Sequence, residues 1–192
     1  TGVKISNDLQ TNGTLLNDKW CEFLGKHNFL IGLSIDGPEM LHNAYRTNRA
    51  GKGTFKQVME AVELLHKHKV NFATLTCVNN LTSQNALEVY RFLRDEVRSP
   101  QMQFIPIVEQ KTFRDTAPQM WPANDQLKQG DKRLIPGAKD SVVEPWCVSD
   151  QAWGNFLIAI FDEWAKRDIG NVSVQYFEAS LEAWMGRRNP LC

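Results

Sequence analysis

Nowhere in this chain do apolar residues run for the roughly 20 positions that a membrane-spanning helix needs, and its charge cancels, with 22 lysines and arginines against 22 aspartates and glutamates. The first absence argues against a membrane-spanning helix and the second against a long-range field that would gather nucleic acid or an anionic membrane. Neither nucleic acid nor a membrane is therefore an expected partner. The start of the chain lacks the basic-then-apolar order of a signal peptide, so a cytoplasmic location is expected. Cysteine is scarce and scattered. Cys21, Cys77, Cys147 and Cys192 are too far apart for any Cys-x2-Cys or Cys-x2-4-Cys pair, so the chain shows no complete metal motif of its own. A chain of 192 residues can bury a core without covalent staples, and reduced thiols are expected. With 42% hydrophobic and 23% charged residues the composition is that of a globular protein, not of a disordered or coiled-coil one. The chain opens on Thr1 rather than methionine and stops on Cys192, and it reads as a piece of something longer.

What is present is an alternation of short apolar runs and helical periods, the pattern of β-α-β-α units. Val3 to Thr11 predicts a strand closing at Asn12-Gly13. A helix follows, capped by Asn17, with Trp20, Phe23, Leu24 and His27 on one stripe. Phe29 to Ile35 is a near-continuous apolar run, as a strand covered on both faces requires, and Asp36-Gly37-Pro38 stops it. Thr54 caps the next predicted helix, Val70 to Val78 is the next strand, Ser83 caps a helix through Val97, and Met102 to Val108 is a fourth strand. Residues 109–148 lose this rhythm and carry Pro118, Pro122, Pro136 and Pro145, which suggests an insertion or functional loop. Order returns at Ser149, the cap of a helix bearing Trp153, Phe156, Leu157, Ile160, Phe161 and Trp164, followed by a segment with Leu181, Trp184 and Met185 closed by Gly186. The expected organisation is β/α units over 1–108, the loop or insertion over 109–148, and the final helices and strand over 149–192. Parallel strands joined by right-handed crossovers imply an open sheet or part of a barrel, with chemistry at the carboxyl ends of the strands.

Polar groups collect at those ends. Ser34 and Asp36 lie two apart at a strand end and so share one side, with Arg46 a short way on, which gathers a hydroxyl, a carboxylate and a guanidinium near one rim. Arg46 could grip a carboxylate or phosphate by two parallel hydrogen bonds, with Ser34 adding a third. The plainer alternative is that Asp36 only caps its turn and Arg46 is solvated. Gly32-Leu33-Ser34-Ile35-Asp36 approaches the Gly-x-Ser-x-Gly elbow of serine hydrolases, but an aspartate in the fifth place would crowd that turn. His66 and His68, two apart on a helix, point about 200° from each other and cannot share a metal as an i, i+4 pair would. Cys21 and Cys77 read as small buried hydrophobes, and Trp153, Trp164 and Trp184 as core residues of helical stripes.

Read together, Leu9-Gln10-Thr11-Asn12-Gly13-Thr14-Leu15, Gly32-Leu33-Ser34-Ile35-Asp36-Gly37-Pro38, His42-Asn43 with Arg46, and Gln103-Phe104-Ile105-Pro106 resemble the anaerobic sulfatase-maturating enzymes of the radical S-adenosylmethionine superfamily. The resemblance runs in order over essentially the whole chain and implies an α/β fold, part of a parallel (β/α) barrel of the partial TIM-barrel kind. It implies an oxidoreductase that converts a sulfatase cysteine or serine to Cα-formylglycine, with S-adenosylmethionine and [4Fe-4S] clusters as cofactors, a sulfatase polypeptide as substrate, and flavodoxin or ferredoxin as reductant. Ser34 and Arg46 match positions that hold the cofactor's carboxylate and its surroundings, Val108 matches an apolar contact with the adenosine, and Gln10 is the candidate substrate contact. Cys192 matches the first cysteine of the family's cysteine-rich SPASM domain, an auxiliary-cluster ligand. The family's Cys-x3-Cys-x2-Cys loop does not occur in this sequence and its proposed general base lies beyond residue 192, so the resemblance implies no catalytic acid-base group here and an isolated piece without activity. Two alternatives stay open at this stage: a maturase of the same superfamily acting on another peptide, and a non-catalytic regulatory or peptide-binding domain that uses its strand ends as a groove.

Overall fold

A computed structural model describes residues 6–112 and 130–187. Five parallel strands, β1 (Asp8–Thr11), β2 (Leu30–Ser34), β3 (Asn71–Val78), β4 (Gln101–Pro106) and β5 (Ser173–Val174), lie side by side in the order of the chain. Parallel neighbours taken in strict succession, each reached by a right-handed crossover, keep every connecting helix on one face. That is the winding of a barrel, since a doubly wound sheet reverses direction partway. The α/β fold is the one expected, an arc of a (β/α) barrel.

The period of two along each strand divides the sheet into two unlike faces. Ile31 is in register with Phe72, Leu33 with Thr74, Thr74 with Met102 and Thr76 with Phe104, and all of these are buried. Against that face pack α1 (Asp18–Lys26) and α3 (Phe55–Lys67) through Cys21, Leu24, Val58, Val62 and Leu65. Each leucine so covered contributes on the order of 1.5–3 kcal/mol. The other face carries Gln10, Gly32, Ser34, Ala73 and Gln103, small or polar side chains on the concave side, together with the apolar Leu75.

Local chemistry explains the helix boundaries. Asn17 Oδ1 accepts the Trp20 amide at 3.1 Å and Ser149 Oγ accepts that of Ala152 at 3.2 Å, so both stand where the sequence placed caps. Ser83 is not a cap. Asn79 Oδ1 starts that turn by accepting the Leu81 and Thr82 amides, and the segment runs as a 3-10 turn (Thr82–Asn85), then α4 (Ala86–Arg91), then a wider π-type turn (Phe92–Glu96). On α1 the helical period is right but the face is turned: Cys21 and Leu24 go inward, while Trp20 and Phe23 stay half exposed and pack on each other and on His27. The stretch read as a strand and helix after Val172 is a two-residue strand running into α6 (Gln175–Trp184).

The helix α5 (Asp150–Arg167) buries Phe156, Ile160 and Trp164, whose ring N–H donates to the Val172 carbonyl at 2.7 Å. Trp184, assigned to the core by its spacing, is 91% exposed at the end of α6. Arg94, in the π-type turn after α4, ties that segment to α5 by bonding Glu163 and the helix-ending Asp168, and the Tyr90 hydroxyl donates to Asp168 at 2.6 Å. Burial and this contact raise the tyrosine's pKa.

Candidate functional site

The strand β2 ends at Ser34, and Ile35-Asp36-Gly37-Pro38 leads over the carboxyl rim into α2 (Glu39–Tyr45). Gly37 sits at φ 128°, a backbone state suited to glycine, and a Cβ there would also approach Val89 at 3.1 Å. The chain then returns through Arg46 and a bridge between Thr47 and Gly53 into α3. Gly53 lets α2 come close, because a Cβ would fall 2.5 Å or less from the Asn43 carboxamide. Asn43 Oδ1 accepts the Phe55 amide at 3.0 Å and thereby caps α3 from another helix. Thr54 occupies the expected cap position, but its side chain serves a different purpose.

That purpose is a chain of hydrogen bonds around a buried histidine. His42, fully enclosed, accepts the Asp36 amide on Nδ1 at 3.3 Å, which leaves the neutral ring's proton on Nε2, facing Thr54 Oγ1 at 3.1 Å. Thr54 in turn donates to the Arg46 carbonyl at 3.1 Å. Burial pushes the His42 pKa down to about 4; the charge of Asp36 works against that shift and that of Arg46 with it. At neutral pH the ring is uncharged and the two ends of the turn are fixed to each other.

The same two ends meet again through their side chains. Arg46 Nε and Nη2 donate to the two oxygens of Asp36 at 2.5 and 2.9 Å, and Asp36 Oδ1 also accepts the Cys77 amide of β3 at 2.8 Å. The Asp36 side chain is 4% exposed and that of Arg46 23%. Burial opposes the arginine's charge, but the Asp36 bonds and the Cys77 sulfur raise its pKa overall. Burial and the Asp36 charge push the Cys77 thiol up. Asp36 therefore neither merely caps a turn nor faces water, and the double hydrogen bond expected of Arg46 toward a ligand is given to Asp36 instead. Nη1 remains for a ligand.

Ser34 and Arg46 line one cavity of about 240 Å³ with Asn12, Tyr45 and Thr47 at the rim and His42, Thr54 and Val58 behind them. The Ser34 hydroxyl makes no hydrogen bond to any described residue, so two unspent donors, Ser34 Oγ and Arg46 Nη1, share this space. Sequence reasoning brought Ser34, Asp36 and Arg46 to one rim, and the structure does the same. It missed His42, Thr54 and Tyr45 as a supporting set, because their contacts join residues 6 to 35 positions apart through space and follow no strand or helix period.

The remaining candidates lie elsewhere. Gln10 is on the concave face, in register with Gly32, and opens on a separate cavity of about 210 Å³ with Gln101, Gln103 and Gln175. Val108 lies two residues past the end of β4, which stops at Pro106 and not at Val108. It is 67% exposed and faces a third cavity, of about 520 Å³, with Leu134, Ile135, Cys147 and Trp153. Cys192 lies outside the described residues. Among the described part of 109–148, residues 142–148 strap the strand ends. Asn80 at the end of β3 donates its amide to the Trp146 carbonyl, Val148 donates to Ile107, and the Tyr45 hydroxyl donates to Asn80 Oδ1. Among the described residues no three of His, Cys, Asp or Glu come together as a metal site, and no helix is long and apolar enough to cross a membrane.

A barrel arc with hydrogen-bond donors waiting at the carboxyl rim of its second strand agrees with what the chain matches. Residues 2–93 match the radical SAM superfamily. Within it the resemblance is to the anaerobic sulfatase-maturating enzymes. A serine-type enzyme of Bacteroides thetaiotaomicron is 39% identical over all of this chain and 43% of its own length, and a cysteine-type enzyme of Clostridium perfringens is 32% identical over 99% of this chain and 45% of its own. The solved structure of native anSMEcpe with bound AdoMet superposes with a TM-score of 0.74 at 31% identity, over 96% of this chain and 44% of that one. The chain thus spans less than half the length of the relatives it matches.

Proposed function

We propose that this chain forms the S-adenosylmethionine-holding part of an enzyme that oxidises a cysteine or serine of a sulfatase to Cα-formylglycine. The observation that supports it most is the pair of unspent donors, Ser34 Oγ and Arg46 Nη1, in one cavity at the strand ends of a chain that matches such enzymes along its whole length. The cavity suits the amino-acid end of the cofactor: a hydroxyl and a guanidinium N–H are both carboxylate donors, and the latter is charge-assisted. When bound and reduced, the cofactor supplies a carbon radical that can take hydrogen from an unactivated C–H bond.

The chain's own residues bind and orient. Ser34 donates from a strand end that cannot move without the sheet. Arg46 donates from a guanidinium that Asp36 keeps in place, and His42 and Thr54 fix the backbone at both ends of that pair. Val108 is assigned the adenosine and Gln10 the substrate peptide, each from a neighbouring cavity on the same rim or concave face. The described residues do not fit an iron–sulfur cluster, and none is assigned to one. Cys192 is assigned to an auxiliary cluster, with flavodoxin or ferredoxin as the electron source.

The test is made on the full-length protein, reconstituted anaerobically with iron and sulfide and given reductant, S-adenosylmethionine and a peptide with a sulfatase active-site motif. Mass spectrometry should show 5'-deoxyadenosine together with a formylglycine peptide. Cofactor cleavage without peptide change would move the reading to another substrate, and neither product from a cluster-loaded protein would favour a binding module. Ser34→Ala should weaken cofactor binding about tenfold with an unchanged melting temperature, since that hydroxyl supports nothing inside the protein.

A further inference from the structure

The Asp36–Arg46 pair has a consequence for which ligand the cavity accepts. Among the lining side chains, Asn12, Ser34, Tyr45, Thr47, Thr54 and Val58 carry no charge at neutral pH, and His42 is neutral there. The charge at the cavity wall is thus set by Arg46 and by the carboxylate behind it, bonded through both oxygens. Their sum is zero. An arginine without that partner would offer the same Nη1 donor and attract a carboxylate more strongly, so the aspartate is not needed to bind an acid. It costs something as well, because burying a carboxylate is unfavourable unless it is paired and bonded, and the fold provides the Cys77 amide and the arginine fork to do so.

A neutral wall is what a ligand with an excess positive charge requires. S-adenosylmethionine carries a carboxylate, an ammonium and a sulfonium, a net charge of plus one, whereas its demethylated product S-adenosylhomocysteine is a neutral zwitterion. We infer that Asp36 is a specificity determinant: by cancelling the charge of Arg46 it lets the cavity bind the carboxylate of its ligand without repelling the sulfonium, and so favours the cationic cofactor over the neutral thioether. This rests on the reading of Ser34 and Arg46 as cofactor contacts. Asp36 is bonded to Arg46 and does not line the cavity, so it acts by charge and position.

The experiment measures dissociation constants of the full-length protein by equilibrium dialysis for S-adenosylmethionine, S-adenosylhomocysteine and sinefungin, the analogue with a charged amine in place of the sulfonium. Each variant is scored by the ratio of affinities, cationic over neutral. In Asp36→Asn the wall gains a net positive charge, and the ratio should fall about tenfold for both cationic ligands, the size of the interaction between two unit charges about 12 Å apart at an effective dielectric of about 20. In Arg46→Gln the wall becomes negative, and the ratio should rise above that of the unchanged protein even as both affinities drop. This second variant keeps the test decisive should Asp36→Asn fail to fold. Equal losses for cationic and neutral ligands in both variants would overturn the inference, leaving Asp36 with a purely geometric role. If the unchanged protein binds none of the three, the cofactor-site reading itself fails, a result distinct from binding without charge discrimination.

Discussion

Acidification should weaken this protein through His42, and the structure gives both sign and size. The ring is fully enclosed, held by the Asp36 amide and Thr54 and edged by Phe55, and burial brings its pKa down to about 4. In the unfolded chain it returns to about 6.5. Between these values the unfolded state holds a proton that the folded state refuses, so stability rises with pH through this window and is flat above it. At pH 4.5 the histidine alone should have removed about 2.5 kcal/mol of the stability present at pH 7, a large part of the roughly 5–15 kcal/mol of an ordinary domain. Urea titrations at both pH values, on the protein and on His42→Asn, isolate this contribution. The variant keeps an acceptor close to the Nδ1 position and has no proton to take up. It should be less stable at pH 7, because Thr54 loses its donor, and the gap should close by about 2.5 kcal/mol at pH 4.5. A gap that stays constant between the two pH values would refute a neutral, enclosed His42.

Three further outcomes follow from the packing. Gly32→Ala would place a methyl 2.8 Å from Leu75 Cδ1 and 3.2 Å from Gln10 Cγ, and should cost about 1–3 kcal/mol in urea unfolding while altering the space beside Gln10. Trp164→Phe abandons the Val172 carbonyl and should lower stability by about 1–3 kcal/mol, whereas Trp184→Phe at an exposed site should change it by less than about 0.5; equal costs would contradict the helix orientations. Arg94→Met leaves Asp168 with Tyr90 and Glu163 with Arg91 and should cost about 1–2 kcal/mol, with a drop in the Tyr90 pKa excluded, since the arginine's charge acts to lower that value; spectrophotometric titration of the phenol checks the second part.

The strands were legible because burial on a parallel sheet leaves a mark in the sequence: Phe29 to Ile35 is apolar nearly throughout and Val70 to Val78 is rich in apolar and β-branched residues, and both contain strands. The caps Asn17 and Ser149 were legible because their partners are three residues away. What escaped was set through space. Nothing local shows that Asn43 caps α3 or that Thr54 faces a histidine twelve residues back. Helical period reveals that α1 and α6 are helices but not which face turns inward: the burial of Cys21 is as expected, whereas Trp184, expected in the core, is exposed and Phe177 fills that side of α6. At the site, Ser34 and Asp36 followed from strand parity, while the commitment of Arg46 to Asp36 needed the parallel pairing of β2 with β3 that brings the Cys77 amide alongside.

The sequential order of the strands also bears on how the sheet assembles. Joining β1 to β2 closes a loop of 22 residues from Asp8 to Leu30, and joining β4 to β5 closes one of 72 from Gln101 to Ser173. The longer closure costs about 1 kcal/mol more in chain entropy, and only two residue pairs in the ladder repay it. Assembly should therefore run from the first strands toward the last, with β5 and α6 joining late and leaving early. In amide hydrogen exchange this would separate the molecule into a slow-exchanging set on β2 and β3 and a faster one around Val174, with the late-folding edge beside Gln101 and Gln175 controlling when the concave cavity is complete.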